Sequence, residues 1–294
     1  MATPPAPTVP AAPVRTPPPP RAAPAAPAPA AKVAAPRLGR LSGRLLPPKM
    51  IFNAVEGWGK TSLVAHAPDA AIIMAPRETG YATLLGAGRA PSVDASLVET
   101  WPALLALMDD LIARESLPYK VLGFDAMGGF ERLCHEFVCQ RDFGGDWGEK
   151  GFASFQRGYD VSITDWQMFL ARLERIHARG CAIVILSHCQ VKSFKNPSGP
   201  DFDRYSSDVH AKTWAATAKW ADTVLFGTFV TVTNKQNGKH KGVGGTDRVI
   251  YTERRDAFDA KNRYGMPEAL DIRVDHTALW STLAPYFTNP NTNA

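Results

Sequence analysis

The sequence predicts an α/β fold in which helices cover both faces of a mostly parallel central sheet. Two observations support this prediction. After residue 48, short apolar runs alternate with longer stretches of helical periodicity, an order typical of parallel strands joined by crossover helices. A glycine-rich segment also separates the first apolar run from the first helical stretch, and this strand–loop–helix order belongs to the same class of fold.

Short apolar runs mark the predicted strands. Most of their residues are aliphatic or β-branched, as is typical of strands that are buried on both faces. The runs are 50–54, 70–74, 120–124, 182–187 and 223–231. A further strand-like run follows the glycine-rich, basic stretch 234–245, so 224–254 is predicted to form a C-terminal hairpin with 234–245 as its turn.

Two helices are predicted between the strands. In 101–114 and in 164–179, apolar residues recur at intervals of three and four, which places them on one helical face. Thr100 is a side chain of the type that caps a helix N-terminus. Gly180 stands where helices commonly end. Both segments are therefore predicted to pack one apolar face against the sheet.

Charge and proline are concentrated at the start of the chain. The 294 residues carry a formal net charge of +5, but residues 1–50 hold seven of the 33 basic residues, none of the 28 acidic ones and 15 of the 25 prolines. The remaining 26 basic and 28 acidic residues give 51–294 a net charge of −2. We therefore predict a disordered, Pro/Ala-rich basic tail over 1–47, a folded domain over 48–284 and a flexible C-terminal tail over 285–294.

The composition excludes several classes of protein. The sequence contains no run of 18 or more apolar residues, so no membrane span is expected. Its first residues alternate proline and alanine and lack the apolar stretch of a secretory signal. Four cysteines in a chain of this size do not suggest a disulfide framework. A reduced, cytoplasmic protein is expected.

The glycine-rich segment 54–62 reads Ala-Val-Glu-Gly-Trp-Gly-Lys-Thr-Ser. It matches the phosphate-binding loop G-x-x-x-x-G-K-[ST], with Ala54 in place of the first glycine. It follows a predicted strand and leads into the helix-compatible stretch 60–66, which is the context that this loop requires. The alternative is an ordinary glycine-rich turn with a solvated lysine.

Each position of this loop has a chemical reason. Gly57 and Gly59 allow backbone N–H groups to turn toward a phosphate. Lys60 is expected to meet the β- and γ-phosphates, and Thr61 to give its hydroxyl to Mg²⁺. ATP and Mg²⁺ are therefore the predicted ligands. The predicted nucleotide-binding residues are Glu56, Gly57, Trp58, Gly59, Lys60, Thr61 and Ser62.

Two carboxylates complete the predicted chemistry. The apolar run 120–124 ends at Asp125, which is placed to hold Mg²⁺ beside the loop. Glu78 follows the second predicted strand and is therefore expected at the carboxyl edge of the sheet, where ligands bind in open α/β sheets. We predict that it is the base or water-orienting group. Glu56 is the competing candidate, and a solvated loop carboxylate is the alternative for Glu78.

The chain resembles RecA/RadA-type ATPases in the order of four features. These are the segment 59–61, Glu78, Asp125 and the polar strand end 187–188. The segment Glu-Gly-Trp-Gly-Lys-Thr-Ser-Leu is similar to phage-encoded AAA-type ATP-binding proteins of the recombination and single-strand annealing group. The likeness covers roughly 48–272.

This resemblance implies a RecA-like P-loop ATPase with Glu78 as the catalytic carboxylate. It also implies that His188 senses the γ-phosphate and leads into a DNA-contacting loop.

A second likeness lies in 261–267, which resembles the Lys-x-Arg segment through which RecA-like ATPases reach a neighbour's ATP. It implies that Lys261 and Arg263 act in trans and that the protein works as a homo-oligomer. Cations on the γ-phosphate stabilise developing charge. The alternative is a basic surface turn before Pro267.

Basic and aromatic residues alternate in two predicted loops. The loop 189–207 carries Lys192, Phe194, Lys195 and Arg204. Basic side chains can bind the phosphates of single-stranded DNA, and aromatic rings can stack on its bases.

The loop 141–158 offers Trp147 and Phe152 for the same purpose, and Trp58 is expected to be exposed at the tip of the phosphate-binding loop. Solvated loops with incidental charge are the alternative.

The phosphate-binding loop predicts a protein that binds ATP and Mg²⁺. The resemblance implies an ATPase that binds or remodels single-stranded DNA in phage-type recombination or replication, working in the host cytoplasm. A single-strand-binding or replication protein is a further expected partner. Two alternatives stay open. One is a P-loop small-molecule kinase, and the other is a non-hydrolysing, nucleotide-gated interaction protein.

Overall fold

The structure is a computed structural model. It describes residues 45–236, 239–272 and 276–288, without the side chains of 231–236, 239–244 and 276. Most of the predicted tail, residues 1–44, lies outside the described residues.

Six parallel strands form the centre of the sheet. The sheet has nine strands: β1 (Lys49–Ala54), β2 (Ala70–Met74), β3 (Asp94–Leu97), β4 (Val121–Asp125), β5 (Ala182–Phe194), β6 (Phe202–Ser207), β7 (Thr223–Gln236), β8 (Lys239–Tyr251) and β9 (Ala269–Ile272). Their order is β3-β2-β4-β5-β1-β7-β8-β9, and β6 pairs with the outer part of β5. Strands β3, β2, β4, β5, β1 and β7 are parallel, whereas β6, β8 and β9 pair antiparallel with their neighbours.

Helices cover both faces of the sheet. They are α1 (Lys60–Ala65), α2 (Gly80–Gly86), α3 (Trp101–Ala113), α4 (Met127–Phe143), α5 (Arg157–His177), α6 (Ala211–Trp220) and α7 (Leu279–Leu283). Successive residues of β1 face opposite ways. Ile51 packs in the core under α3, α4 and α5, and Phe52 packs in the core under α1 and α7. The predicted α/β fold with a mostly parallel sheet and a C-terminal hairpin is confirmed.

The two predicted helices are present. The first ends at Ala113, and Thr100 caps it by accepting a hydrogen bond from the backbone N–H of Ala103 at 3.3 Å. The second begins at Arg157, earlier than predicted. Its first turn packs so closely on Phe152 that a Cβ on Gly158 would lie 2.3 Å from the ring. The start of α5 therefore depends on a tertiary contact that periodicity does not reveal.

Three segments predicted as loops or turns have regular structure. Residues 189–207 form a hairpin instead of a loop, because β5 continues to Phe194 and pairs with β6 from Cys189↔Ser207 to Phe194↔Phe202. In the predicted loop 141–158, α4 extends to Phe143 and Phe152 is buried in a small core. In the predicted turn 234–245, β7 runs to Gln236 and β8 begins at Lys239. Residues 237–238 lie outside the described part.

Order also continues past the predicted domain end at residue 284. A 3-10 turn covers Ala284–Phe287, and the ring centroid of Phe287 lies 5.0 Å from that of Tyr264. Residues 289–294 lie outside the described residues. Within the described ranges, no helix combines the length and the apolar character that crossing a membrane requires.

Candidate functional site

The loop between β1 and α1 is shaped by two glycines with left-handed backbone conformations. Gly57 has φ +69° and Gly59 has φ +108°, and such values disfavour residues with a Cβ. A Cβ built on Gly57 would meet no atom within 4 Å. The backbone at this position therefore faces open space, which suits close approach by a phosphate.

Lys60 spans the loop from its C-terminal end. Its side chain is buried, and Nζ donates to the carbonyl oxygens of Ala54 at 3.0 Å and Val55 at 3.3 Å. Burial lowers the pKa of Lys60, and the nearby carboxylates of Asp125 and Glu56 oppose that shift. The ammonium is thus held at the loop by carbonyl acceptors that leave one of its three N–H donors free.

The side chains of Thr61 and Asp125 are directly hydrogen-bonded. Thr61 Oγ1 donates to Asp125 Oδ2 at 2.7 Å. Asp125 is buried at the end of β4, and this burial raises the pKa of its carboxyl, against the hydrogen bond from Thr61 that lowers it. A hydroxyl and a carboxylate side by side are the donor set of a Mg²⁺ site in P-loop proteins.

A second pair lies next to Asp125. Glu78 Oε1 is 3.8 Å from His188 Nε2. This contact with Glu78 raises the pKa of His188, because a neighbouring carboxylate favours the charged imidazolium. Glu78 also interacts electrostatically with Asp125. The two carboxylates and the imidazole therefore form one cluster of titratable side chains at the carboxyl edge of the sheet.

These residues line a common pocket of about 400 Å³. The predicted site residues in its wall are Gly57, Trp58, Gly59, Lys60, Thr61, Ser62, Glu78, Asp125 and His188. The wall also contains residues that were not predicted, namely Gly80, Thr83, Leu84, Arg89 and Arg248. Glu56, Lys261 and Arg263 do not line it.

Comparison with known proteins identifies the family. The model of the AAA domain family matches residues 46–264, which is well over half of the chain. The chain belongs to the AAA domain family. The match begins just before β1 and includes every predicted site residue from Glu56 to Arg263.

Solved structures also resemble this AAA domain. The flagellar accessory protein FlaH from Methanocaldococcus jannaschii is 11% identical, with a TM-score of 0.39 over 79% of this chain and 88% of that one. The RadB recombinase is 8% identical, with a TM-score of 0.43 over 79% of this chain and 90% of that one. No curated protein matches the sequence.

Trp58 is buried in the AAA domain, so the prediction that it is exposed was wrong. Its indole Nε1 donates to the Thr228 carbonyl at 2.9 Å, and its ring meets that of Phe52 edge to face at 4.9 Å. A Cβ on Gly227 would lie 3.0 Å from the indole. The loop tip therefore packs on β7, and the missing side chain at Gly227 makes room for it.

Lys261 and Arg263 are bound within their own chain. Lys261 Nζ donates to the carbonyls of Ala218 at 3.0 Å and Ala221 at 2.5 Å, at the C-terminal end of α6. Arg263 is exposed and pairs with Asp222 at 2.9 Å. Lys261 therefore caps a helix end, and Arg263 is the more accessible of the two cations.

The residues predicted to contact nucleic acid lie on the β5–β6 hairpin. Lys192 and Lys195 are exposed, and Lys195 pairs with Asp201. Arg204 is buried, donates to Asp259 at 2.7 Å and lies over the Phe194 ring, with 5.0 Å from its guanidinium carbon to the centroid. Contrary to its predicted role, Arg204 is therefore buried, because Phe194 of the hairpin and Asp259 outside it hold its guanidinium.

Sequence reasoning missed three charged residues at the site. Asp208 lies directly after β6, where its backbone N–H donates to the His188 carbonyl at 3.1 Å. Arg89 and Arg248 line the pocket. None of the three belongs to a local motif. The pairing of distant strands places Asp208 and Arg248 there. Arg89 follows α2 and lies outside the strands, so strand register does not predict its position.

Proposed function

We propose that the protein binds ATP with Mg²⁺ and hydrolyses it. The observation that carries this proposal is the Thr61–Asp125 hydrogen bond, which places a Mg²⁺-type donor pair beside the phosphate-binding loop. A pocket of about 400 Å³ is large enough for a nucleotide. When bound, Mg²⁺ would neutralise phosphate charge.

The chain's own residues divide the work of binding. The backbone N–H groups around Gly57 and Gly59 would donate to phosphate oxygens. Lys60 would add a positive charge at the terminal phosphates. Thr61 and Asp125 would hold Mg²⁺. Each role uses a group that already lines the pocket.

Glu78 is the group we assign to hydrolysis. Its carboxylate would accept the proton of the attacking water as the bond to the γ-phosphorus forms and ADP leaves. His188 lies 3.8 Å away and would keep the carboxylate in place through its own charge. Water activation by a positioned carboxylate is worth a rate factor of about 10² to 10⁴.

We further propose that single-stranded DNA is the polymer on which the protein acts, in recombination or replication of the phage type. The support is that one strand, β5, carries both His188 in the pocket and the exposed Lys192 on the hairpin. DNA binding to the hairpin would therefore affect, through β5, the position of His188 at the γ-phosphate end of the site. A single-strand-binding or replication protein would be the second partner, and the cytoplasm the place of action.

Action in trans belongs to the same proposal. Arg263 would leave Asp222 and reach the ATP of a neighbouring copy in a homo-oligomer, with Lys261 beside it. Mixing inactive Arg263→Ala protein with inactive Lys60→Ala protein should restore hydrolysis, because some interfaces would then combine an intact loop with an intact arginine. Failure of the mixture to recover activity would place the arginine outside the neighbour's site.

The experiment that tests the function is ATP hydrolysis with and without single-stranded DNA. Wild type should hydrolyse ATP faster with DNA than without it. Lys60→Ala should lose hydrolysis under both conditions. Lys192→Ala should keep the rate without DNA and lose mainly the stimulation by DNA. Lys120→Ala, which removes an exposed lysine away from the pocket, is the matched control. Hydrolysis without stimulation would reject the DNA part alone. Absence of turnover despite ATP binding would favour a nucleotide-gated interaction protein.

A further inference from the structure

Arg248 brings a cation from the C-terminal hairpin into the nucleotide pocket, in addition to Lys60 and Arg89. It lies on β8, directly opposite Phe229 of β7, and its guanidinium carbon is 5.3 Å from the centre of the Phe229 ring. Its Nε donates to the backbone carbonyl of Trp58 at 2.8 Å. The C-terminal hairpin thus contacts the phosphate-binding loop from the side opposite the catalytic carboxylates.

Arg248 is held by a segment of the phosphate-binding loop that is itself anchored on β7. The Trp58 residue that accepts its hydrogen bond is fully buried, and its indole donates to the Thr228 carbonyl at 2.9 Å. The backbone N–H of Val55 donates to the Gly227 carbonyl at 3.1 Å. The loop is therefore tied to β7 at two points and to β8 at a third. A guanidinium held in this way loses little conformational entropy when it binds a ligand.

Most of the hydrogen-bonding capacity of Arg248 is unused. The guanidinium has five N–H donors, of which Nε provides one. Its two terminal nitrogens have no hydrogen-bond or ion-pair partner in the part of the chain that the structure describes, although the residue is half-buried and lines the pocket. Planar N–H donors beside a phosphate-binding loop suit an acceptor-rich ligand.

The sheet order shows which end of a nucleotide Arg248 would meet. Strand β1 leads into the loop and lies between β5 and β7. Asp125 and His188 lie on the β5 side, where Mg²⁺ and the γ-phosphate are expected, whereas Arg248 lies on the β7 side. With the terminal phosphate at Asp125, the opposite side of the loop is left for the nucleoside end.

We propose that Arg248 is a nucleotide-binding residue that holds the nucleoside end of ATP, donating from its terminal nitrogens to acceptors of the ribose or the base. This inference rests on the proposed ATP binding. It assigns the C-terminal hairpin a part in recognising the nucleoside, so nucleotide affinity is the quantity that tests it.

The test is isothermal titration of the full chain with ATP, ADP and inorganic tripolyphosphate. Arg248→Gln should weaken ATP and ADP equally, by about tenfold, the effect of one lost charge-assisted hydrogen bond. Tripolyphosphate, which lacks the nucleoside, should bind as to wild type. Arg248→Lys, which keeps the charge but lacks the planar fork, should show a smaller loss. Arg255→Gln is the control, because Arg255 is an exposed arginine paired with Glu268.

The outcomes separate this inference from the proposed function. Unchanged ATP and ADP affinities in both Arg248 variants, beside a wild type that binds ATP, would overturn the inference and leave the proposed function standing. An equal loss for tripolyphosphate would overturn it too, since Arg248 would then act by shaping the loop. A wild type that binds none of the nucleotides would overturn both. Thermal melting checks that each variant is folded. If Arg248→Gln does not fold, the nucleotide affinities of Arg248→Lys test the inference.

Discussion

Thr61 Oγ1 donates to Asp125 Oδ2 at 2.7 Å, across 64 residues of sequence. The bond joins the first turn of α1 to the end of β4, two strands away from β1 in the sheet. This bond shows that the loop between β1 and α1 and the acidic end of β4 form one site.

Replacing Asp125 with asparagine should weaken the contribution of Mg²⁺ to nucleotide binding. The amide keeps the size of the side chain but removes the charge that holds the ion. We expect the ATP dissociation constant in Mg²⁺ to rise about 10- to 100-fold, the range typical when the partners of a metal are removed. Binding in EDTA should change little.

The measurement is fluorescence titration of a labelled ATP with and without Mg²⁺. Asp110→Asn, at an exposed aspartate on α3 that pairs with Arg114, is the matched control. If ATP binding depended on Mg²⁺ equally in Asp125→Asn and in wild type, Asp125 would not be a residue of the metal site.

The Glu78–His188 pair should make stability depend on pH. The contact raises the folded-state pKa of His188 above its ordinary value of 6.5. The pair therefore stabilises the fold fully below about pH 6.5, and this contribution is lost as the pH rises through the raised folded-state pKa. Glu78→Gln should lower the pKa of His188 and remove that contribution.

Two measurements check this prediction. Histidine NMR titration should show the lower pKa of His188 in Glu78→Gln. The difference in melting temperature between wild type and variant should be largest at the acidic end of a series from about pH 5.5 to 8.5. A His188 pKa that is equal in both proteins would contradict the pairing.

Trp58→Ala should destabilise the protein strongly. The indole is fully buried against Phe52 and β7, and removing a buried aromatic side chain costs about 3–5 kcal/mol in the free energy of unfolding. Trp147→Ala is the control, because 45% of Trp147 is exposed. Urea denaturation of both variants gives the comparison. A cost at Trp58 no larger than at Trp147 would mean that the loop tip is not anchored on β7.

The phosphate-binding loop and the strand before it could be predicted because their signal is local. A short apolar run, two glycines and the Lys60–Thr61 pair lie within about a dozen residues. Asp125 could be predicted from the apolar run that it ends. These are features for which backbone conformation, chemistry and sequence spacing coincide.

The remaining features depend on contacts between distant parts of the chain. The burial of Trp58 requires β7, 170 residues further on. The hairpin over 189–207 looked like a loop because its residues are polar, yet its order comes from pairing between β5 and β6. Arg248 reaches the pocket only through the register of β8 on β7. Sequence periodicity carries no information about these partners.

The role of Glu78 is to drive ATP hydrolysis in a pocket whose other residues bind ATP, so its removal should separate turnover from binding. Phosphate release and ATP affinity should be measured together for wild type, Glu78→Gln and the exposed control Glu115→Gln. We predict that Glu78→Gln binds ATP within about threefold of wild type but loses at least about 100-fold in kcat, while Glu115→Gln behaves as wild type. Undiminished turnover in Glu78→Gln would contradict the assignment, and absence of ATP binding by the wild type would contradict the proposed function itself.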